Sequence, residues 1–250
     1  MQTPTEIRLP QRRVEQCMGT VFSIDIRPPG VDQAALDSVI TWLHWVDATF
    51  STYQRDSQLS RLGRGELTLA ECAPEVTEIL DRCAELEVET GGYFSARIGD
   101  SLDPSGLVKG WAIQRASQML LAAGSANHCV NGGGDVQCAG SPTPDTSWRI
   151  GIAHPLRPTE LVGIAEGYDI AVATSGIAQR GTHIVEPHSN TTPTALASVT
   201  LIGRELATTD AYATAAFAMG FAAPDWIVTL HDHRGLIVYA DGTEWSSPVQ

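Results

Sequence analysis

Asp210 and Thr214 stand four residues apart in TTDAYATA (208–215), a spacing that puts a carboxylate and a hydroxyl on one helix face and aims two hard oxygens at one point. Magnesium suits so sparse a pair, because it keeps several waters and shares phosphate oxygens with a substrate. The plain structural alternative makes Asp210 an N-terminal helix cap and Thr214 a packed side chain. DPSGLVKGWA (103–112) opens another helix with Lys109 in its early turns, where free N–H groups and an ammonium favour phosphate oxygens. Asp103 either caps that helix or binds a ribose or ring edge. The spacing GxxxxGK followed by Ser or Thr is absent, so this is not a P-loop.

Asn131, Gly132, Gly133, Gly134 and Asp135 form a turn whose glycines permit positive φ and close approach of a ligand to the backbone. A hairpin bend explains it equally well, and the GxGxxG spacing of a dinucleotide fold is missing. Thr174 and Ser175 follow an apolar run, and His183 lies seven residues after Gly176 in HIVEP (183–187). A Ser/His hydrolase would need a GxSxG elbow, which the chain lacks. By itself His183 also reads as a satisfied structural histidine. His231 and His233 flank Asp232 in a short polar segment that reads as a solvated turn, with no third ligand implied nearby for a metal.

These segments need rigid elements to hold them. Val21, Phe22, Ile24 and Ile26 mark a strand ending at Pro28, Pro29 and Gly30. Asp32 caps a helix with Leu36, Ile40, Leu43, Val46 and Phe50 on one face, widened by Trp42 and Trp45. Tyr53 then sits in a polar turn off any core stripe. Pro74 opens a helix carrying Val76, Leu80, Cys83 and Leu86 and stopping at Gly91 and Gly92; a third runs from about Gly106 to Ala123. Strands are expected at 128–130, 148–153, 169–173 and 197–202, a helix at 209–219, and a terminal hairpin of strands 226–230 and 236–239.

The 250 residues are 43% hydrophobic and 18% charged, the balance of a globular protein able to bury a substantial core. Helices and strands mix throughout and no Gly/Ser/Pro-rich linker divides them, so one domain over 1–250 is expected. With 16 basic and 29 acidic residues the net charge is −13, which repels nucleic acid and anionic lipid, although a local cluster of cationic groups would still admit an anionic ligand. No apolar run spans a membrane, and the N-terminus carries neither a secretory signal nor a lipoprotein cysteine at Cys17, so a cytoplasmic protein without a membrane anchor is expected. Its five cysteines are odd in number, widely spaced and without a CxxC pair, which fits reduced, mostly buried thiols rather than zinc ligands.

Taken in order, the motifs resemble the ApbE family of FAD:protein FMN transferases over about 200 residues: Met18, Gly19, Thr20 with Phe22; Phe50, Ser51, Thr52, Tyr53 with Asp56, Ser57, Leu59, Ser60; Thr90, Gly91, Gly92, Phe94; then DPSGLVKGWA, NGGGD, ATSG (173–176), HIVEP and TTDAYATA. The resemblance implies an α+β fold related to the T-fold, with mixed sheets and packed helices. It implies FAD as substrate and Mg2+ at its diphosphate. FMN would pass to a threonine or serine hydroxyl of an acceptor flavoprotein carrying a Ser/Thr/Asp-Gly-Ala-Ser/Thr type sequence, with AMP leaving. By position, Asp210, Thr214 and the Ala112 carbonyl would hold the metal, and Lys109 would sit near the phosphates. Asp103, Gly133, Gly134, Asp135, Thr174 and Ser175 would lie near FAD, Met18 and Tyr53 would pack on it, and His183 would serve as general base. The family often continues HIVEP's position with Asp-Pro and then Arg/Lys-Thr-Gly, where this chain has Glu186, Pro187, His188, Ser189 and Asn190, so the acceptor side is expected to differ. Two other activities fit the same residues: an FAD diphosphatase giving FMN and AMP, and a noncatalytic flavin carrier, against which the intact Asp210, Thr214 and His183 argue.

Overall fold

A computed structural model describes residues 10–99, 101–177 and 184–248. Among them an antiparallel eight-stranded sheet runs in the order β1-β2-β5-β6-β9-β10-β11-β12. Its strands are β1 (Gln11–Cys17), β2 (Thr20–Ile26), β5 (His128–Gly132), β6 (Asp135–Ala139), β9 (Ala171–Gly176), β10 (Leu196–Gly203), β11 (Arg234–Tyr239) and β12 (Glu244–Ser246). Two small hairpins lie outside it, β3 (Arg97–Ile98) with β4 (Ser101–Leu102) and β7 (Trp148–His154) with β8 (Arg157–Gly167). The helices are α1 (Gln33–Phe50), α2 (Gln58–Gly63), α3 (Pro74–Glu89), α4 (Ser105–Ala122), α5 (Leu206–Met219) and the short α6 (Ala223–Ile227).

Alternation along the central strands separates two buried clusters. In β9, Ala171 and Ala173 join the helical core with Val130, Val199 and Leu201, while Val172 faces the β7–β8 hairpin with Val136, Trp148, Ile152 and Ala165. The central strands are thus covered on both faces, which is why apolar residues occur on both sides of β9 and β10 rather than in strict alternation with polar ones. α1 begins where Asp32 Oδ1 accepts the Ala35 N–H at 2.7 Å, and buries Leu36, Val39, Leu43, Val46 and Phe50. Trp42 stacks on Trp45 at 5.2 Å and meets Trp111 of α4 edge-on at 4.9 Å, which joins the two helices.

The terminal hairpin differs from expectation. Trp226 and Ile227 end α6, started by Pro224, and Val228 N–H closes back onto Pro224 O at 3.2 Å. The run 226–230 is apolar enough for a strand, but Pro224 presets the helical φ just upstream and Ile227 fills the core. The hairpin is instead β11 with β12. α5 also starts earlier than its pattern suggested, with Glu205 at the N-cap, so Asp210 lies inside the helix and is not its cap.

His128 shows how tightly α4 is seated. It is fully buried, with Nε2 2.7 Å from Ser117 Oγ and Nδ1 3.1 Å from both Ser125 O and Oγ. Burial pushes its pKa down from 6.5 to about 4. Below pH 6.5 the unfolded chain therefore takes up a proton that the fold refuses until about 4. Stability should fall over that window by about 1.4 kcal/mol per pH unit, roughly 3 kcal/mol in all. Urea midpoints measured from pH 7 to 4 should decline less steeply in His128→Gln; equal slopes would refute the assignment.

Candidate functional site

One end of α4, the face of α5, the β5–β6 turn and the end of β9 meet at a cleft of about 950 Å3. Met18, Tyr53, Asp103, Lys109, Gly134, Thr174, Ser175, Asp210 and Thr214 all line it. Residues spread over nearly two hundred positions thus share one cavity, as their types suggested.

Its floor is an electrostatic cluster. Lys109 Nζ pairs with Asp135 Oδ2 and stands 3.7 Å from Asp210 Oδ2. Both carboxylates are buried, at 1% and 2% exposure, and these partners offset the cost of that burial. Asp135 is further fixed by accepting the Thr174 N–H at 2.9 Å, and Asp210 Oδ2 accepts the Gly110 N–H at 3.0 Å. One turn beyond Asp210, Thr214 Oγ1 lies 3.3 Å from Ser175 Oγ. Thr174 Oγ1 pairs with Thr200 Oγ1 at 2.9 Å, which holds β9 against β10.

Glycines permit this approach. A Cβ on Gly110 would meet Leu206 O at 2.6 Å and Asp210 Cβ at 2.7 Å, so α4 and α5 touch through hydrogen alone. Gly110→Ala should force the helices apart, cost about 1–3 kcal/mol in urea titration and displace Asp210 enough to depress activity. Wild-type stability and activity together in that variant would contradict the contact. Gly133 and Gly134 make the two-residue β5–β6 turn with φ +62° and +95°, and Gly133 N–H donates to Val21 O at 3.2 Å. The glycine triplet is therefore a hairpin bend that also faces the cleft through Gly134.

Among the described lining residues Lys109 is the one Lys or Arg, against Asp47, Asp103 and Asp210. To an anionic ligand the described lining therefore offers one cationic side chain against three carboxylates. No group of three or more His, Cys, Asp or Glu placed to hold a metal ion together occurs among the described residues. The Asp210 carboxylate and Thr214 hydroxyl fit a hard, oxygen-preferring ion that shares ligands with its substrate.

Several expected residues stand elsewhere. The Ala112 carbonyl is not brought to the cleft: the residue is fully buried and its oxygen accepts the Trp42 indole N–H at 3.1 Å, on the side of α4 that faces α1. Asp135 and Gly133 stand behind the lining, Asp135 acting through Lys109. Asp103 Oδ1 accepts the Ser105 N–H at 3.0 Å and so secures the start of α4 while lining the cleft. Tyr53 is at the rim with 94% of its surface exposed, its ring not packed into the fold. His183 lies outside the described residues; the next residue, Ile184, lines the cleft.

Sequence reasoning missed one part of the wall and one support behind it. Residues 150–155 of β7 and the turn after it line one side, where six consecutive positions contribute because a strand edge faces the cavity. Behind Tyr93 and Pro187, which line the cleft, His188 fills the corner after α3: its Nε2 is 3.1 Å from Gly91 O, its ring stands 4.7 Å from that of Tyr93, and a Cβ on Gly92 would come within 2.8 Å of it. Glu186 anchors the same segment by accepting the His188 and Ser189 N–H groups at 2.8 and 2.9 Å; a hydrogen bond with the Ser189 side chain, then these two, hold its carboxyl below the usual range. The departure from the family pattern at 186–190 is thus a self-braced turn seated on Gly91–Tyr93.

The sequence model of the ApbE family matches residues 18–102 and 97–237. An FAD:protein FMN transferase of Vibrio cholerae is 26% identical, over 81% of this chain and 79% of its own length. An FAD:protein FMN transferase of Rhodobacter capsulatus is 31% identical over 78% of this chain, which spans 36% of that relative. The crystal structure of an ApbE protein from Thermotoga maritima superposes with a TM-score of 0.87 at 20% identity, covering 96% of this chain and 97% of that one. The flavin transferase ApbE of Vibrio cholerae gives 0.81 at 21% identity, covering 96% and 97%. The α+β fold is therefore that of these proteins.

Proposed function

The chain belongs to the ApbE family, and on that premise we propose that it is an FAD:protein FMN transferase acting as one catalytic unit. The acceptor's threonine or serine oxygen attacks the FMN phosphorus of FAD, the diphosphate P–O bond breaks, and AMP leaves. The observation that carries this reading is the buried Lys109–Asp210 pair with Thr214 one turn away, at the floor of a cleft large enough for a dinucleotide. Lys109 directs its ammonium to phosphate oxygens, and the buried carboxylates hold it in place. Asp103, Gly134, Thr174 and Ser175 bound the flavin nucleotide, with Met18 and Tyr53 at its sides. Asp210 and Thr214 would hold Mg2+, which when bound supplies positive charge to the diphosphate and the departing AMP. No helix among the described residues is long and apolar enough to cross a membrane, and the reading includes a cytoplasmic acceptor.

His183 is assigned the general base that takes the hydroxyl proton. A base must be neutral to act, so transfer should rise with pH through an apparent pKa of about 6 to 7. His183→Ala should slow transfer by about 10²-fold, lose that rising limb and keep its FAD affinity. A fully active variant with the wild-type pH profile would remove the base role.

The exposure of Tyr53 at the rim supports a second reading, in which water enters in place of the acceptor and FAD is hydrolysed to FMN and AMP. One assay separates them. The protein is incubated with FAD, magnesium and an acceptor domain bearing the Ser/Thr/Asp-Gly-Ala-Ser/Thr sequence, then read by in-gel flavin fluorescence and intact mass. Covalent FMN on the acceptor is expected. Free FMN without labelling would make the protein a diphosphatase, and neither product would leave it a flavin carrier.

A further inference from the structure

Cys129 and Cys138 are register partners on the neighbouring strands β5 and β6, and all five cysteines are free. The pair closing the two-residue turn, Gly132 with Asp135, is by that geometry hydrogen-bonded, and such pairs alternate with non-hydrogen-bonded ones along an antiparallel ladder. Counting back three positions makes Cys129–Cys138 a non-hydrogen-bonded pair. Cys138 agrees with this, because its N–H is turned away from β5 and donates to Ile170 O at 2.8 Å. Side chains approach most closely at such pairs, with Cα atoms about 4.5 Å apart, inside the range that a disulfide spans. Both side chains also belong to the cluster under Trp148, hence to one face of the sheet.

We infer that Cys129 and Cys138 form an oxidisable dithiol that closes to an intramolecular disulfide within the folded protein. Access sets the order of events. Cys129 is half-buried while Cys138 is 1% exposed, so a small-molecule disulfide such as oxidised glutathione meets Cys129 first. A hydrogen bond to the Cys129 sulfur, with burial, pushes the Cys138 thiol above its ordinary value, which suits it to the second, intramolecular attack rather than the first. The Cys129 thiolate attacks one glutathione sulfur and expels a glutathione thiolate. Cys138 then gives up its proton and attacks the Cys129 sulfur, and the second glutathione leaves. The two thiol hydrogens end on two reduced glutathiones, and a thiol reductant reverses the sequence. The product covalently locks the hairpin whose turn leads to Asp135, the partner of Lys109.

The test uses the full chain, treated with oxidised glutathione, quenched with N-ethylmaleimide under denaturing conditions and weighed intact. The expected product has lost two hydrogens and takes up two fewer maleimides than the reduced protein. No Lys or Arg separates the two cysteines, so a protease cutting before Asp135 is needed to show the peptides joined. Cys138→Ser should stop at a glutathione on Cys129, and Cys129→Ser should show no adduct at Cys138 and no crosslink. As a measure independent of oxidation, phenylarsine oxide, which bridges paired thiols, should bind one per wild-type chain and to neither variant. A crosslink mapping to another cysteine pair, a wild-type product halted at the Cys129 adduct, or an unreactive folded protein that also ignores the arsenical would overturn the inference.

Discussion

Asp210→Ala is expected to abolish flavin transfer, by about 10³-fold or more, while the protein still binds FAD. The carboxylate is 2% exposed, accepts the Gly110 N–H and stands 3.7 Å from Lys109, so alanine removes a charge and also leaves a buried amide without its partner. Asp210→Asn separates the two losses. Its carboxamide oxygen still accepts from Gly110 and its shape still fits between α4 and α5, so fold and thermal midpoint should stay near wild type while turnover falls. Thr214→Val should be milder, since it deletes one neutral oxygen 3.3 Å from Ser175 and nearly keeps the volume. An excess of chelator should stop wild type, with activity restored by magnesium. Wild-type rates for Asp210→Asn at limiting magnesium would show that the charge is not needed.

The pairing of Asp210 with Thr214 could be read from the chain because helical period alone fixes which side chains share a face. The same holds for α1 and α3, whose apolar spacing and starting residues, the Asp32 cap and Pro74 at the first helical position, reappear in the fold. The place of the Ala112 carbonyl was not legible, for the opposite reason. Which way a helical carbonyl looks, and whether an indole seventy residues away already binds it, is decided by how α1 packs on α4 and leaves no trace in local spacing. The Asp135–Lys109 pair is likewise tertiary: both residues sat in quoted motifs, yet nothing in either motif says that the hairpin turn presses a carboxylate onto α4. Residues 150–155 were invisible because a strand that lines a cavity along its edge shows no change in alternation. The segment 226–230 was misread where an apolar run too short to have a period met a proline that decides the matter.

Lys109→Met should be damaging in two separable ways. Methionine keeps much of the aliphatic length and removes the ammonium, which leaves the buried Asp135 and Asp210 carboxylates side by side without their shared cation. Breaking a buried pair from one side costs about 3–5 kcal/mol, a large part of a domain's stability, so the urea midpoint should drop steeply. FAD affinity should fall as well, because the cleft loses its one lysine or arginine among the described lining residues. Adding Asp135→Asn to the same chain tells the effects apart. The carboxamide oxygen can still accept the Thr174 N–H that Asp135 Oδ1 accepts now, and the orphaned charge is gone, so the double variant should regain much of the lost stability. It should regain none of the FAD affinity or transfer, since on the proposed reading both depend on the ammonium meeting phosphate. If the double variant recovered flavin transfer with stability, Lys109 would be a counter-ion for Asp135 and nothing more. If the single variant were already as stable as wild type, the carboxylates would not need it.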